Sequence, residues 1–179
     1  MTQQNMIIGG GCFWCVEAAF NQVKGVTSAI SGYTGGQRET ADYETVCSGT
    51  TGHVEVVKVT FDSEQISYSQ LLNLFFSVHD ATQVNRQGND TGTQYRSAIF
   101  YCNEEQQQIA QALVEQINEQ QLFDKDIVTS VEPLETFYAA EDYHQGYYLK
   151  NPEQGYCMAV VAPKFQKFKA QHAQLMKES

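Results

Sequence analysis

Apolar residues along the chain occur in short runs and in alternating stretches, separated by amphipathic segments. A short apolar run bounded by glycine or polar residues is typical of a buried strand, and alternation is typical of a strand with one buried face. The pattern predicts five strands, over residues 6–9, 26–33, 54–61, 97–101 and 127–131.

The segments between these strands carry apolar residues three or four positions apart, which predicts helices with one buried face. Ser67 followed by Gln70, and Asn103 followed by Gln106, are typical of helix N-termini, because such side chains satisfy the first free backbone N–H groups. The predicted helices cover residues 12–23, 68–79, a segment after 103, and 164–177.

The order of these elements is strand, helix, strand, strand, helix, strand, with further elements after it. It predicts an α+β fold, a two-layer sandwich with a mixed sheet and a split βαβ (ferredoxin-like) core. We expect a single domain over residues 1–179, because this length suits one domain and neither a repeat nor a linker divides the chain. Residues 80–94 and 135–156 lack periodicity, and we expect them to be long coil segments with a functional role.

Charge and cysteine content narrow the classes of function. The net charge of −10 disfavours nucleic acid or an anionic membrane as a partner, because both need clustered cations. The first residues carry no secretory signal and no stretch is long enough to span a membrane, so we expect a cytoplasmic protein. An odd number of cysteines, five, argues against a disulfide framework and leaves buried thiols, metal ligands or redox chemistry.

Cys12 stands at the start of the first predicted helix, behind three glycines. Free N–H groups at a helix N-terminus favour a thiolate, and glycines let another molecule approach the backbone closely. Cys12 is therefore a candidate nucleophile, and a small buried residue in a tight turn is the alternative. Trp14 points away from the apolar stripe of this helix, so it either lines a cleft beside the thiol or packs under a neighbouring loop.

Cys15 forms a Cys-x-x-Cys pair with Cys12. Such a pair is half of a zinc site, but no second pair and no close pair of histidines completes one in this sequence. The pair is also typical of thioredoxin-like redox motifs, which would place both working sulfurs on one turn. From the residues alone, this redox alternative stays open.

Glu55 lies on the apolar face of the strand predicted over 54–61, together with Val57 and Val59. Burial raises the pKa of a carboxyl group and favours the protonated acid. A protonated acid near a thiolate is a proton donor. The alternative is a glutamate at the strand end that reaches solvent or pairs with a cation.

A series of motifs runs in order through nearly the whole chain. It consists of Gly11-Cys12-Phe13-Trp14, the stretches 43–49 and 52–56, the stretch 87–97, and the stretches 140–145 and 151–157. In order and spacing these motifs resemble the A-type peptide methionine sulfoxide reductases, which reduce the S epimer of methionine sulfoxide. The resemblance implies a metal-free enzyme without a cofactor. It also implies thioredoxin or dithiothreitol as external reductant, and oxidised proteins and free methionine S-sulfoxide as substrates; we expect a monomer.

The resemblance also implies a role for each matching residue in the first half of the reaction. Cys12 would attack the sulfoxide sulfur, and Glu55 would protonate the departing oxygen. Tyr43 and Tyr95 would hold that oxygen through their hydroxyl groups. Asp90 would belong to the same polar network.

The remaining roles implied by the resemblance concern the substrate and the recycling of the enzyme. Phe13 and Trp14 would form an apolar wall around the methyl group. Attack would leave a sulfenic acid on Cys12, and Cys157 would condense with it to a disulfide that thioredoxin reduces.

The chain departs from the family pattern at Cys15, where glycine is common. We expect Cys15 to be inert, because cysteines three apart on a regular helical turn close a disulfide only with distortion. Cys47 and Cys102 are expected to be structural thiols, and no cysteine follows Cys157. Two rival functions are a general disulfide oxidoreductase, and a non-catalytic module that binds oxidised methionine.

Overall fold

The computed structural model describes residues 3–177, which form a six-stranded sheet, a two-stranded hairpin and six α-helices. The strands are β1 Gln3–Gly9, β2 Val26–Thr34, β3 Val54–Asp62, β4 Arg86–Gln87, β5 Asp90–Thr91, β6 Ala98–Tyr101, β7 Ser130–Pro133 and β8 Tyr138–Ala139. The helices are α1 Phe13–Asn21, α2 Tyr43–Val46, α3 Tyr68–Val78, α4 Glu104–Glu119, α5 Tyr147–Lys150 and α6 Ala162–Gln171.

The six strands of the large sheet lie in the order β7-β6-β1-β3-β2-β8. Neighbouring strands are antiparallel except β6 and β7, which are parallel, so the sheet is mixed. The predicted α+β class with a mixed sheet is confirmed. Strand β3 lies between β1 and β2, which gives its side chains a central position in the sheet.

The two faces of the sheet are covered by different kinds of structure. On one face, Met6 and Ile8 of β1 pack in the main core with side chains of α1, α3, α4 and α6. On the other face, Ile7 belongs to a smaller cluster that Leu134 and Phe137 cover from a coil segment. This alternation along β1 is the period-two pattern of a strand that is buried on both sides.

The capping signals in the sequence correctly located two helices. Ser67 Oγ accepts a hydrogen bond from the Gln70 backbone N–H at 3.1 Å, and Gln70 Oε1 accepts one from the Ser67 N–H at 2.9 Å. Asn103 Oδ1 accepts from the Gln106 N–H at 2.9 Å and begins α4. Among residues 3–177, no helix combines the length and the apolar character needed to cross a membrane.

Two predicted elements near the end of the chain are displaced. The strand expected over 127–131 is found at Ser130–Pro133, because Ile127 instead packs in the core and its backbone is held by the Asn118 side chain. The helix expected over 164–177 begins at Ala162 and ends at Gln171. After it, Met176 pairs with Val23 in a β-bridge, an arrangement that a continuous helix would prevent.

The two segments expected as long coils contain little regular structure. Residues 80–94 hold only the short hairpin of β4 and β5 and a 3-10 turn, and residues 135–156 hold the short elements β8 and α5. A π-helical turn, Cys157–Val161, then runs directly into α6. Both segments contribute residues to the end of the sheet where α1 begins.

Candidate active site

The glycine turn before α1 is shaped by contacts within the protein. Gly11 has a φ of +89°, a conformation that side chains with a Cβ rarely adopt. A Cβ on Gly11 would stand 2.7 Å from Gln87 Cγ, and one on Gly10 would stand 3.0 Å from the His79 ring. Side chains of this chain therefore fill the space that a Cβ would occupy at Gly10 and Gly11, so packing within the protein requires glycine at both positions.

Cys12 is the N-cap residue of α1 and is half-buried. A hydrogen bond from the Trp14 backbone N–H lowers the pKa of its thiol, and the nearby Tyr156 hydroxyl acts in the same direction. Burial and the neighbouring Cys15 thiol outweigh them and raise the pKa of Cys12 well above its usual range. The expected thiolate is thus not favoured in the free protein: the helix terminus acts in the expected direction, but desolvation is the larger effect.

Glu55 lies inside the protein directly below the start of α1. Its side chain is 1% exposed, and Oε1 accepts a hydrogen bond from the Phe13 backbone N–H at 3.2 Å. Its other oxygen, Oε2, is buried without a hydrogen-bond partner. Burial, reinforced by the electrostatic effect of the neighbouring Cys12 side chain, raises the pKa of Glu55 well above its usual range. The inward orientation predicted from alternation is found, and the alternative of a solvent-exposed glutamate is wrong.

Tyr43 and Tyr95 approach Glu55 from two separate segments. Tyr43 begins α2, which is capped by Asp42, and Tyr95 lies in the 3-10 turn after the hairpin. Burial raises the pKa of both phenols above their usual range, and the neighbouring Glu55 side chain contributes to each shift. Both hydroxyls are therefore neutral donors. Cys47, expected as a structural thiol, is exposed, and its thiol interacts with the hydroxyls of both tyrosines.

Asp90 reaches Cys12 through Tyr156. The hairpin that carries Asp90 is held by Gln87, whose side-chain amide makes two hydrogen bonds of 2.9 Å with the backbone of Asp80. Asp90 Oδ2 accepts a short hydrogen bond from the Tyr156 hydroxyl. That hydroxyl also interacts with the Cys12 sulfur. Tyr156 therefore links a carboxylate to the thiol.

Trp14 contacts four other rings at the site, those of Tyr43, His144, Tyr147 and Tyr156. Its ring is stacked on Tyr147 with centroids 3.9 Å apart, and its Nε1–H donates to His144 Nδ1 at 3.0 Å. Phe13 is only 1% exposed and packs against His144, with centroids 5.1 Å apart, and against Tyr33. Trp14 is thus half-buried next to Cys12, whereas Phe13 is almost fully covered.

Cys157 lies in a cluster of buried side chains with Cys15 and Phe165, and Cys12 and Trp14 pack against this cluster. Its side chain is fully buried, although residues 151–155, which precede it, are exposed. The structure thus brings together all the residues for which the sequence predicted a role, drawn from both ends of the chain.

Three further residues at the site were given no role from the sequence. Tyr156 bridges Asp90 and Cys12, His144 accepts from Trp14, and Glu141 accepts hydrogen bonds from the Tyr33 hydroxyl and the Tyr43 N–H. All three lie in the segment 135–156 or at its end, and the tyrosine-rich composition of that segment was the sequence feature that could have indicated them. Among residues 3–177, no group of three His, Cys, Asp or Glu side chains could hold a metal ion.

We expect Glu55→Gln to stabilise the folded protein at neutral pH, because the fold must keep this carboxyl protonated. A carboxyl whose pKa is raised by folding stabilises the folded state fully at a pH below its unfolded-state pKa, about 4.3. This stabilisation is lost as the pH rises towards the folded-state pKa. The free energy of unfolding of the variant should therefore exceed that of the wild type by an amount that grows by up to about 1.4 kcal/mol for each pH unit. Urea unfolding from pH 5 to 8 measures this. Glu115→Gln, at an exposed position on α4, is the control; a pH-independent difference would contradict the expectation.

Comparisons with known proteins show which family the chain belongs to. The family described as "Peptide methionine sulfoxide reductase" matches residues 4–176. The chain is 55% identical over 167 residues to a peptide methionine sulfoxide reductase of Deinococcus radiodurans, covering 93% of this chain and 81% of the relative.

Solved structures with the same fold extend the comparison. Methionine sulfoxide reductase A of Corynebacterium diphtheriae has a TM-score of 0.81 and 38% identity, covering 88% of this chain and 79% of its own. Reduced Mxr1 of Saccharomyces cerevisiae has a TM-score of 0.80 and 31% identity, covering 87% and 90%. Mxr1 in complex with Trx2 is similar in fold, with a TM-score of 0.56 and 20% identity over 82% and 85% of the two chains. The chain described here belongs to the peptide methionine sulfoxide reductase family.

Proposed function

We propose that this protein reduces the S epimer of methionine sulfoxide to methionine, both in oxidised proteins and as the free amino acid. The observation that carries the proposal is the half-buried Cys12 thiol above a buried carboxyl, Glu55, with one unbonded oxygen. The choice of the S epimer follows from the family, since each sulfoxide epimer has its own enzyme.

In the reaction we propose, Cys12 Sγ attacks the sulfoxide sulfur and Glu55 protonates the oxygen. Collapse of this adduct yields methionine and a sulfenic acid on Cys12, so the substrate sulfur gains two electrons and Cys12 loses two. Because burial keeps the Cys12 thiol protonated in the free protein, its proton is released as the oxygen receives one. The net step neither consumes nor produces protons.

Donors around the carboxyl would stabilise the oxygen as charge develops on it. Tyr43 and Tyr95 are neutral phenols whose pKa values are raised beside Glu55. Such preorganised donors act strongly in a site with little water. The assignment of Asp90 to this network is supported by its hydrogen bond from Tyr156, whose hydroxyl interacts with Cys12.

Phe13 and Trp14 are proposed as the apolar wall for the substrate methyl group. Trp14 is the more direct contact, because its ring is half-buried and Phe13 is almost fully covered. Stacking on Tyr147 and the hydrogen bond to His144 hold the indole in one orientation. A fixed aromatic surface binds a methyl group at low entropic cost.

Cys157 is proposed as the thiol that recycles the enzyme. It belongs to the cluster on which Cys12 packs, so condensation with the sulfenic acid gives a Cys12–Cys157 disulfide and water. Thiol–disulfide exchange with thioredoxin, or with dithiothreitol, then restores both thiols. The complex of the relative Mxr1 with Trx2 supports a protein reductant of this kind.

Further properties follow as proposals. Strands β1, β2, β3 and β6 with α1 and α3 would form the split βαβ core, which the order β6-β1-β3-β2 with antiparallel neighbours supports.

We infer one domain over 1–179, acting as a monomer because one chain supplies every proposed residue. No metal or cofactor has a part in the proposed steps. Five free thiols support a cytoplasmic location.

Cys12→Ser should abolish the formation of methionine from a peptide methionine S-sulfoxide with dithiothreitol, because the hydroxyl cannot take up the oxygen. Chromatographic quantification of methionine provides the measurement. Cys102→Ser, at an exposed thiol outside the site, is the matched control and should behave as the wild type. Binding of the sulfoxide without turnover by the wild type would favour the binding module, and reduction of insulin without reduction of sulfoxide would favour a general oxidoreductase.

Glu55→Gln should slow the first methionine-forming turnover about 10²–10⁴-fold, because the amide cannot donate the proton that the leaving oxygen needs. In the wild type this rate should fall as pH rises through the raised pKa of Glu55, and in the variant that fall should disappear. Rapid-quench measurements across pH test both statements. Glu44→Gln, at an exposed position on α2, is the control; an unchanged rate in Glu55→Gln would remove the acid role.

Cys157→Ser should form the first equivalent of methionine at the wild-type rate and then stop when thioredoxin is the reductant. The reason is that Cys157 alone borders the exposed segment 151–155, where a protein reductant has access. Methionine counted per enzyme, with thioredoxin and its reductase in excess, gives the result. Continued turnover in this variant would assign recycling to another thiol, and the Cys102→Ser control should turn over throughout.

A further inference from the structure

Cys15 has no role in the catalytic cycle proposed for Cys12 and Cys157. Its side chain is 3% exposed and lies in the same cluster as Cys157. A hydrogen bond joins the Cys15 thiol to the Cys12 thiol, and Cys157 is close enough to affect the pKa of Cys15 electrostatically. Three sulfurs thus lie together at the start of α1.

The backbone removes the geometric objection to a bond between Cys12 and Cys15. Cys12 is not part of the helix: its φ of −60° and ψ of 124° are extended, and α1 begins only at Phe13. The Cys15 N–H donates to the Cys12 carbonyl at 3.2 Å, so the two residues close a single turn across the helix terminus. The expected distortion applies to two cysteines within a regular helix, and this pair is not within one.

We propose that Cys15 is the first resolving thiol of the reaction, which attacks the sulfenic acid of Cys12 before Cys157 does. This inference rests on the proposed function, because only sulfoxide reduction produces the sulfenic acid. Cys15 Sγ bonds to Cys12 Sγ, the S–O bond of the sulfenic acid breaks, and the hydroxyl leaves as water with one proton. The product is a Cys12–Cys15 disulfide.

Cys157 then exchanges into this bond. Its thiolate attacks Cys12 Sγ, the S–S bond to Cys15 breaks, and Cys15 leaves as a thiolate, which gives the Cys12–Cys157 disulfide of the proposed cycle. No outside oxidant is needed, since exchange conserves disulfides.

The electrostatics of the three thiols agree with this direction. The hydrogen bond from Cys12 and the charge on Lys164 lower the pKa of Cys15, whereas burial raises that of Cys157. A sulfur of lower pKa is more often a thiolate and leaves a disulfide faster. The hydrogen bond from the Cys12 thiol is lost once Cys12 forms a disulfide, but the charge on Lys164 remains and favours Cys15 as the leaving thiolate when Cys157 attacks.

The step would also protect Cys12. A sulfenic acid that meets further oxidant becomes a sulfinic acid, which the thiols of this protein cannot reduce. A thiol already in contact with Cys12 shortens the lifetime of the sulfenic acid without waiting for Cys157 to approach.

The test is a single turnover without reductant, in which methionine is counted, dimedone labels sulfenic acid, and peptide mapping by mass spectrometry identifies disulfides. Cys157→Ser should form one methionine per enzyme, lose dimedone labelling and contain a Cys12–Cys15 disulfide. The double variant with Cys15→Ser should form one methionine and retain the label on Cys12. Cys102→Ser is the matched control and should end with a Cys12–Cys157 bond, as the wild type does.

Dimedone labelling of Cys157→Ser equal to that of the double variant would overturn the proposal, because Cys15 would then be inert. Failure of the proposed function is a separate result, in which no methionine is formed by the wild type. Cys15→Ala replaces Cys15→Ser if the hydroxyl disturbs the buried cluster. In the single variant at Cys15, the labelled sulfenic acid should persist longer than in the wild type before the Cys12–Cys157 bond appears.

Discussion

The hydrogen bond from the Phe13 N–H to Glu55 Oε1 joins the first turn of α1 to the middle of the sheet. It satisfies one of the free N–H groups at the helix N-terminus with a carboxyl group rather than with water. The same contact places Cys12, one residue before Phe13, over a carboxyl that burial keeps neutral. Every other part of the site is arranged around this pair.

The second half of the chain is attached to the site through hydrogen bonds to two acidic side chains. Glu17 on α1 accepts hydrogen bonds from the Gly146 N–H and the Ser31 hydroxyl, and Glu141 accepts from the Tyr43 N–H. Each bond satisfies a backbone or hydroxyl donor, and two of them tie a segment with little regular structure to α1 and α2. Hydrogen bonds to side chains therefore position this irregular backbone near the site.

Local pattern was sufficient for the elements that carry the chemistry. Alternation oriented Glu55, and the glycine turn located Cys12 at a helix start, because both features depend on a few neighbouring residues. The resemblance supplied the residues that are distant in sequence. Three features could not be read from the sequence: the link from Asp90 to Tyr156, the contact of Gln87 with the glycine turn, and the balance that raises the pKa of Cys12. Each depends on packing between segments far apart in the chain, and desolvation in particular is a property of the finished interior.

The π-helical turn Cys157–Val161 has a consequence for how the chain tolerates change. A π turn holds one residue more than an α-helical turn, so the orientation of Cys157 does not follow from the register of α6. Removal of one residue from this turn would restore a continuous α-helix and rotate Cys157 by about 100° relative to Phe165 and Phe168, which anchor α6 in the interior. The extra residue therefore sets the direction in which the Cys157 side chain points relative to the buried face of α6.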